Sequence, residues 1–139
     1  MINAIIGAIS SALFEEFGYE NHMEEIKQDL QEPCFFISCI NPTFRRYMGK
    51  RFFRQNKFCI QYFPKSEGAA KEECYSVAER MNFCLEVIQV MGKPIRGTEI
   101  TYEVTDGVLH YFVNYDCFVY RMEHAESMDS MRSKINVKG

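Results

Sequence analysis

Three kinds of side chain in this 139-residue sequence could carry chemistry: thiols, imidazoles and paired carboxylates. Six cysteines stand at Cys34, Cys39, Cys59, Cys74, Cys84 and Cys117. None forms a Cys-x-x-Cys pair, and His22, His110 and His124 stand outside any zinc-binding spacing. Each cysteine lies in an apolar run, such as Phe58-Cys59-Ile60, so the expectation is a free thiol serving as a small core hydrophobe. His110 and Asp116 share a parity on one predicted strand. They are three pleats apart, about 20 Å at strand rise, too far for a proton-relay dyad. Glu15-Glu16 and Glu24-Glu25 are sequence neighbours, which point apart in a helix or strand and make no acid/base pair. Gly-x-Ser-x-Gly, P-loop and Gly-x-Gly-x-x-Gly patterns are absent. The expectation is a protein with no catalytic residues, no metal and no cofactor.

The strongest chemical signal is charge. Residues 1–40 hold seven acidic residues and Lys27 alone as a base. Residues 41–65 hold seven bases (Arg45, Arg46, Lys50, Arg51, Arg54, Lys57, Lys65) and no acid. The remainder carries eight bases against twelve acids, and the whole chain nets −3. A solvated loop and strand face would account for the basic block. So would a patch that docks on the acidic surface of a neighbouring copy, the head-to-tail complementarity a closed ring needs. The third account is nucleic-acid contact through strand 50–62, where Arg51, Arg54 and Lys57 interleave with Phe52, Phe53, Phe58 and Tyr62. Net acidity disfavours phosphate-driven affinity, and the β–α–β–β–α–β order of an RNA-recognition sheet is not met.

These residues need a scaffold. Ile2, Ile5, Ile6, Ile9, Leu13 and Phe17 recur at helical spacing, and Gly18 follows as a C-terminal cap, which predicts a helix over 2–17. A short edge strand is expected near Tyr19–Met23. Cys34–Ile40 reads as a buried strand closed by the turn signal Asn41-Pro42. A strand over Arg51–Phe63 puts Phe58, Ile60 and Tyr62 on one face and Lys57 and Gln61 on the other. Cys74, Val77, Ala78, Met81, Leu85 and Ile88 form the stripe of a second helix, Ala69–Met91, stopped by Gly92 and Pro94. Thr98–Thr105 alternates Ile100, Tyr102 and Val104 against Glu99, Thr101 and Glu103. Asp106-Gly107 then predicts a two-residue hairpin turn into a long strand, Val108–Arg121.

The expected architecture is α+β. An antiparallel sheet of about four strands, in the order α-β-β-α-β-β, carries two amphipathic helices on one face. One domain should span 1–122, with 123–139 a polar, flexible tail. At 47% hydrophobic residues and 25% charged, the chain is ordinary globular material that needs no disulfide staple. No signal peptide is evident, and no apolar stretch approaches the roughly 20 residues of a membrane span. The first helix lacks the basic polar face of a lipid-surface helix. A reduced, cytosolic, soluble protein without a membrane partner is expected.

Five segments carry a resemblance. They are Met1-Ile2-Asn3-Ala4-Ile5-Ile6 with Glu15-Glu16-Phe17-Gly18; Glu32-Pro33-Cys34-Phe35-Phe36-Ile37; Phe58 to Pro64; Ile95-Arg96-Gly97; and Asp106 to Tyr115. Over residues 1–121 the chain resembles tail terminator-like proteins of phages and prophages of Gram-positive bacteria. The resemblance implies an α+β virion structural protein, made in the bacterial cytoplasm, that caps the tail tube as a homo-oligomeric ring. A hexamer is the usual form. It also implies the tail tube protein and a head-completion or connector protein as partners, and it carries over no catalytic residue or cofactor. The expected ring interface combines Arg45, Arg46, Lys50, Arg51, Arg54 and Lys57 with Glu99 and Glu103 on the Thr98–Thr105 strand.

Overall fold

In the computed structural model, residues 1–23, 32–65 and 68–120 are described. Glu24, Glu25, Arg121 and the expected tail 123–139 lie outside the described residues. The elements run α1 (Ile2–Phe17), β1 (Glu20–His22), β2 (Cys34–Met48), β3 (Arg51–Phe63), α2 (Ala70–Cys84), β4 (Val87–Val90), β5 (Lys93–Arg96), β6 (Thr98–Thr105), β7 (Val108–Asn114) and β8 (Cys117–Tyr120). The class is α+β, as expected, but the sheet is larger than four strands and is mixed. Its order is β1-β2-β3-β7-β6, with β8 also pairing β3. β1 runs parallel to β2, Glu20 to His22 lying beside Cys34 to Phe36, whereas β3/β7 and β6/β7 are antiparallel. A separate two-stranded ribbon joins β4 and β5.

The chain divides into two compact units. One holds Met1–Thr43 and Arg54–Cys117; the other holds Phe44–Phe53 and the chain from Phe118. In the first, period-two strands and period-3.6 helices converge on one core. In register, β3 and β7 pair Phe58 with Val113, Ile60 with Tyr111 and Tyr62 with Leu109. All six are buried, with Phe35 and Ile37 of β2 in the same cluster. Ile5, Ile9 and Leu13 of α1 and Cys74, Val77, Ala78 and Met81 of α2 cover that face. Each such aliphatic or aromatic side chain contributes about 1.5–3 kcal/mol by leaving water. α1 ends at Gly18 in the left-handed conformation (φ 75°), its N–H donating to the Phe14 carbonyl at 2.8 Å.

Buried tyrosines bring their hydroxyls to partners. Tyr62 donates to Glu73 (2.6 Å), Tyr111 to Asn82 (2.8 Å) and Tyr115 to the Leu85 carbonyl (2.5 Å). These bonds fasten α2 and its C-terminal end to the sheet. Arg80 of α2 holds α1 by donating to the Glu16 carboxylate at 3.0 Å and to its carbonyl at 2.9 Å, over the Phe17 ring.

Three expected boundaries are corrected. β2 does not turn at Asn41-Pro42 but continues to Met48. Asn41 adopts a left-handed φ of 44°, which Asn tolerates, and Pro42 is exposed where β2 has no outer strand among the described residues, because β1 reaches only Phe36. The second helix ends at Cys84 rather than Met91. Leu85 and Ile88 are buried as expected, but Ile88 is buried from a strand. Met91 (φ 53°) and Gly92 (φ 80°) form the β4–β5 turn, both in the positive-φ region that a type I′ hairpin requires. The final long strand breaks at Tyr115-Asp116 into β7 and β8. The Asp106-Gly107 turn is as expected, with φ of 53° and 76°.

Candidate interaction surface

The basic block lies mainly on the β2–β3 hairpin. Arg45 and Arg46 are on β2, Lys50 is in the turn, and Arg51 begins β3. Phe44–Phe53 holds these four bases and no acid, which leaves −7 for the remainder of a chain that nets −3. Such a cationic hairpin would splay if its charges only repelled. Here each guanidinium lies on an aromatic ring: Arg45 over Phe53 (5.7 Å), Arg46 over Phe52 (5.1 Å) and Arg51 over Phe118 (4.3 Å) and Tyr47 (5.5 Å). Contacts of this kind give about 0.5–1 kcal/mol each at exposed sites. Phe44 stacks on Phe52 with ring centroids 4.9 Å apart and planes 8° from parallel. Phe118 meets both Tyr47 and Phe53. Arg46 also donates to the Gly49 carbonyl at 2.6 Å, closing the turn.

The hairpin thus presents a laminated cationic and aromatic surface. Phe44, Tyr47, Met48, Phe118 and Tyr120 are all exposed, Tyr120 at 71%. Phe118 and Tyr120 were not among the sequence candidates. Their alternation on the parity opposite Cys117 and Val119 was the available signal; their partners, more than sixty residues upstream, were not readable.

Arg54 and Lys57 belong to the other unit. The Arg54 charge opposes the burial-driven rise of the Cys39 and Cys117 thiols. Lys57 lies on the sheet face turned away from the core, its amino group 5.2 Å from the Phe112 ring centre. Phe112 pairs with Thr101, and His110 pairs with Gln61 on one side and Glu103 on the other. Glu99, at a bulge with φ 51°, accepts a hydrogen bond from Asn114 at 3.3 Å. Lys57, Glu99 and Glu103 therefore gather on one mixed-charge sheet face, and Arg45, Arg46, Lys50 and Arg51 gather on the hairpin.

His110 and Asp116 have separate partners. The His110 Nδ1 is 3.3 Å from the Gln61 amide, and the Asp116 carboxylate accepts the Asn56 N–H at 2.9 Å. Glu16 is engaged by Arg80. All six cysteines are free thiols raised above their ordinary value by burial; the Glu16 carboxylate adds to the effect at Cys84, pushed up to about 11. A thiol in that state is a poor nucleophile at neutral pH. Among the described residues no group of three His, Cys, Asp or Glu side chains is placed to hold a metal ion. No described helix is long and apolar enough to cross a membrane.

These features describe a small α+β protein whose most developed surface is the cationic and aromatic hairpin Phe44–Phe53. The family model described as "Phage tail terminator protein" matches residues 4–127, and the chain belongs to that family. It is accordingly a phage tail structural protein. No curated protein matches it. Sixteen chains of known structure match. One of them, a protein without a descriptive name, is 13% identical over 88% of this chain and 97% of its own, with a TM-score of 0.44, a likeness too loose to bear on function.

Proposed function

We propose that this protein caps the phage tail tube as a homo-oligomeric ring, a hexamer, and helps join tail to head. The tail tube protein and a head-completion protein are its partners in this reading, and it performs no catalysis. The observation that carries it is the hairpin Phe44–Phe53. Its four bases stand against a remainder of −7, so one copy offers what its neighbour's surface lacks. Complementary but unlike patches make heterologous contacts, and these close into rings when the rotation permits. Neutral salt should loosen the ionic part of such contacts.

Light scattering after gel filtration, at low and moderate salt, tests the ring. A mass near six times 16.3 kDa that falls with salt supports it. Adding the protein to growing tubes of the tail tube protein tests the cap: tubes should stop elongating. A chain that stays monomeric even with tube ends present refutes the proposal. The exposed rings beside Arg51 favour single-stranded nucleic acid as the second reading. Salt-sensitive binding of an oligonucleotide by a non-assembling protein would select it.

A further inference from the structure

The sheet has two unlike open edges. β6 is terminal, with β7 on its inner side and, among the described residues, no strand beyond it. β2 is covered by β1 only at Cys34–Phe36, so at Ile37–Thr43 and Arg45–Met48 its outer side has no strand partner among the described residues. Both edges are interrupted, and both interruptions leave a usable segment. On β2, the left-handed Asn41 and the imino nitrogen of Pro42 break any added ladder and leave Arg45–Met48. On β6, the bulge between Thr98 and Thr101 leaves Thr101–Thr105 in regular register. The two segments are four and five residues long.

Their charges are opposite. Arg45–Met48 contains Arg45 and Arg46 and no acid; Thr101–Thr105 contains Glu103 and no base, with Glu99 in the bulge just before it. Like charges facing one another across a strand pair destabilise it, so β2 is a poor partner for a second β2, and β6 for a second β6. β2 against β6 is favourable. Added strands gain main-chain hydrogen bonds for affinity, while side-chain charge sets which edge is accepted.

We infer that the open β2 edge of one copy pairs with the open β6 edge of the next, so that the sheet runs on from subunit to subunit. This rests on the ring reading above and specifies its seam. Because the two edges differ, the contact is head-to-tail, with one unused edge of each kind carried forward at every step until the ring closes.

Two variants test it, R45E/R46E and E99K/E103K. Each alone places like charges at every seam and should weaken assembly about tenfold or more, read as the concentration at half-assembly. Mixed in equal amounts they should assemble again, because alternation restores opposite charge at every seam; that recovery also shows that both variants fold. Hydrogen exchange at Thr101–Thr105 should slow when the wild type assembles. A wild type that forms rings while both variants do so equally well, or a mixture that fails to recover, overturns the seam and leaves the ring standing. A wild type that never assembles, tube ends included, overturns the ring and the seam together.

Discussion

Asn56 and Tyr115 hold each other at the point where β7 stops. The Asn56 side-chain amide donates to the Tyr115 carbonyl at 3.1 Å, and the Tyr115 N–H donates to the Asn56 carbonyl at 2.9 Å. With the Asp116 carboxylate on the Asn56 N–H, this clasp satisfies the backbone groups that the strand break would leave without a ladder partner. Among the described residues Asn56 is the one buried polar side chain outside the tyrosines, 1% exposed. Asn56→Leu should cost about 1–3 kcal/mol, because the Tyr115 carbonyl stays buried without its donor. Urea unfolding should show a lower midpoint at unchanged slope.

Gly97 predicts a second sensitivity. A Cβ at this position would stand 2.9 Å from the Leu85 carbonyl oxygen, 2.9 Å from a Val113 methyl and 3.2 Å from the Tyr115 ring. The Gly97 N–H also donates to the Glu86 carbonyl at 2.7 Å, so the backbone cannot back away. Gly97→Ala should destabilise by about 1–3 kcal/mol through overpacking, seen as a lower melting temperature. Gly68, with open space around it, is the control, and Gly68→Ala should leave the melt close to wild type.

Alkaline pH should unfold the protein steeply. Burial raises the phenols of Tyr62, Tyr111 and Tyr115 well above their ordinary value, and the Glu73 carboxylate adds to the effect at Tyr62. The folded chain therefore keeps protons that the unfolded chain loses above about pH 10. The stabilisation is complete below that pH and is lost as pH rises toward the folded values. With three such groups the slope approaches about 4 kcal/mol per pH unit. Cys84 adds a contribution lost between its ordinary value and about 11. Urea midpoints measured from pH 8 to 11 check this, and Tyr111→Phe should remove about one proton from the slope.

The thiols should resist a disulfide reagent while the chain is folded. Cys34 and Cys74 are fully buried and Cys59 nearly so, and all three are raised by burial. At pH 8 these three should react only on unfolding, with Cys39, Cys84 and Cys117 faster but still slowed. Stopped-flow thiol counting with and without urea measures it; three fast equivalents from Cys34, Cys59 and Cys74 in the native protein would contradict the packing.

Local signals made much of this fold legible. Ile5, Ile9 and Leu13 repeat at one period and Gly18 closes the helix; Asp106-Gly107 announces its turn; Thr98–Thr105 and Arg51–Phe63 have the expected bounds. The misread places depend on distant partners. Ile88 fits both a helical stripe and, with Val90, an alternating strand, and Gly92 serves equally as a helix stop or a hairpin turn. The break after Asn114 needs Asn56, nearly sixty residues away. Extension of β2 past Pro42 goes with an outer side that, among the described residues, has no strand beside it there. The candidate surface was half legible: Arg45, Arg46, Lys50 and Arg51 announce themselves as charge, but Phe118 beneath Arg51 arrives through long-range pairing of β8 with β3. The sheet face joining Lys57 to Glu103 through β7 was hidden for the same reason.

The position of β7 has a consequence for synthesis. β7 lies between β3 and β6, and its core partners Phe58, Ile60 and Tyr62 are translated about fifty residues earlier. The β2–β3 and β6–β7 hairpins can close from neighbouring sequence, but the core waits for the last third of the chain. While the ribosome is still adding residues before Val108, β3 offers the open edge that β7 will take. Premature termination there yields not a shortened domain but a chain prone to associate through that edge, and folding of the complete protein is paced by a long-range pairing rather than by its helices.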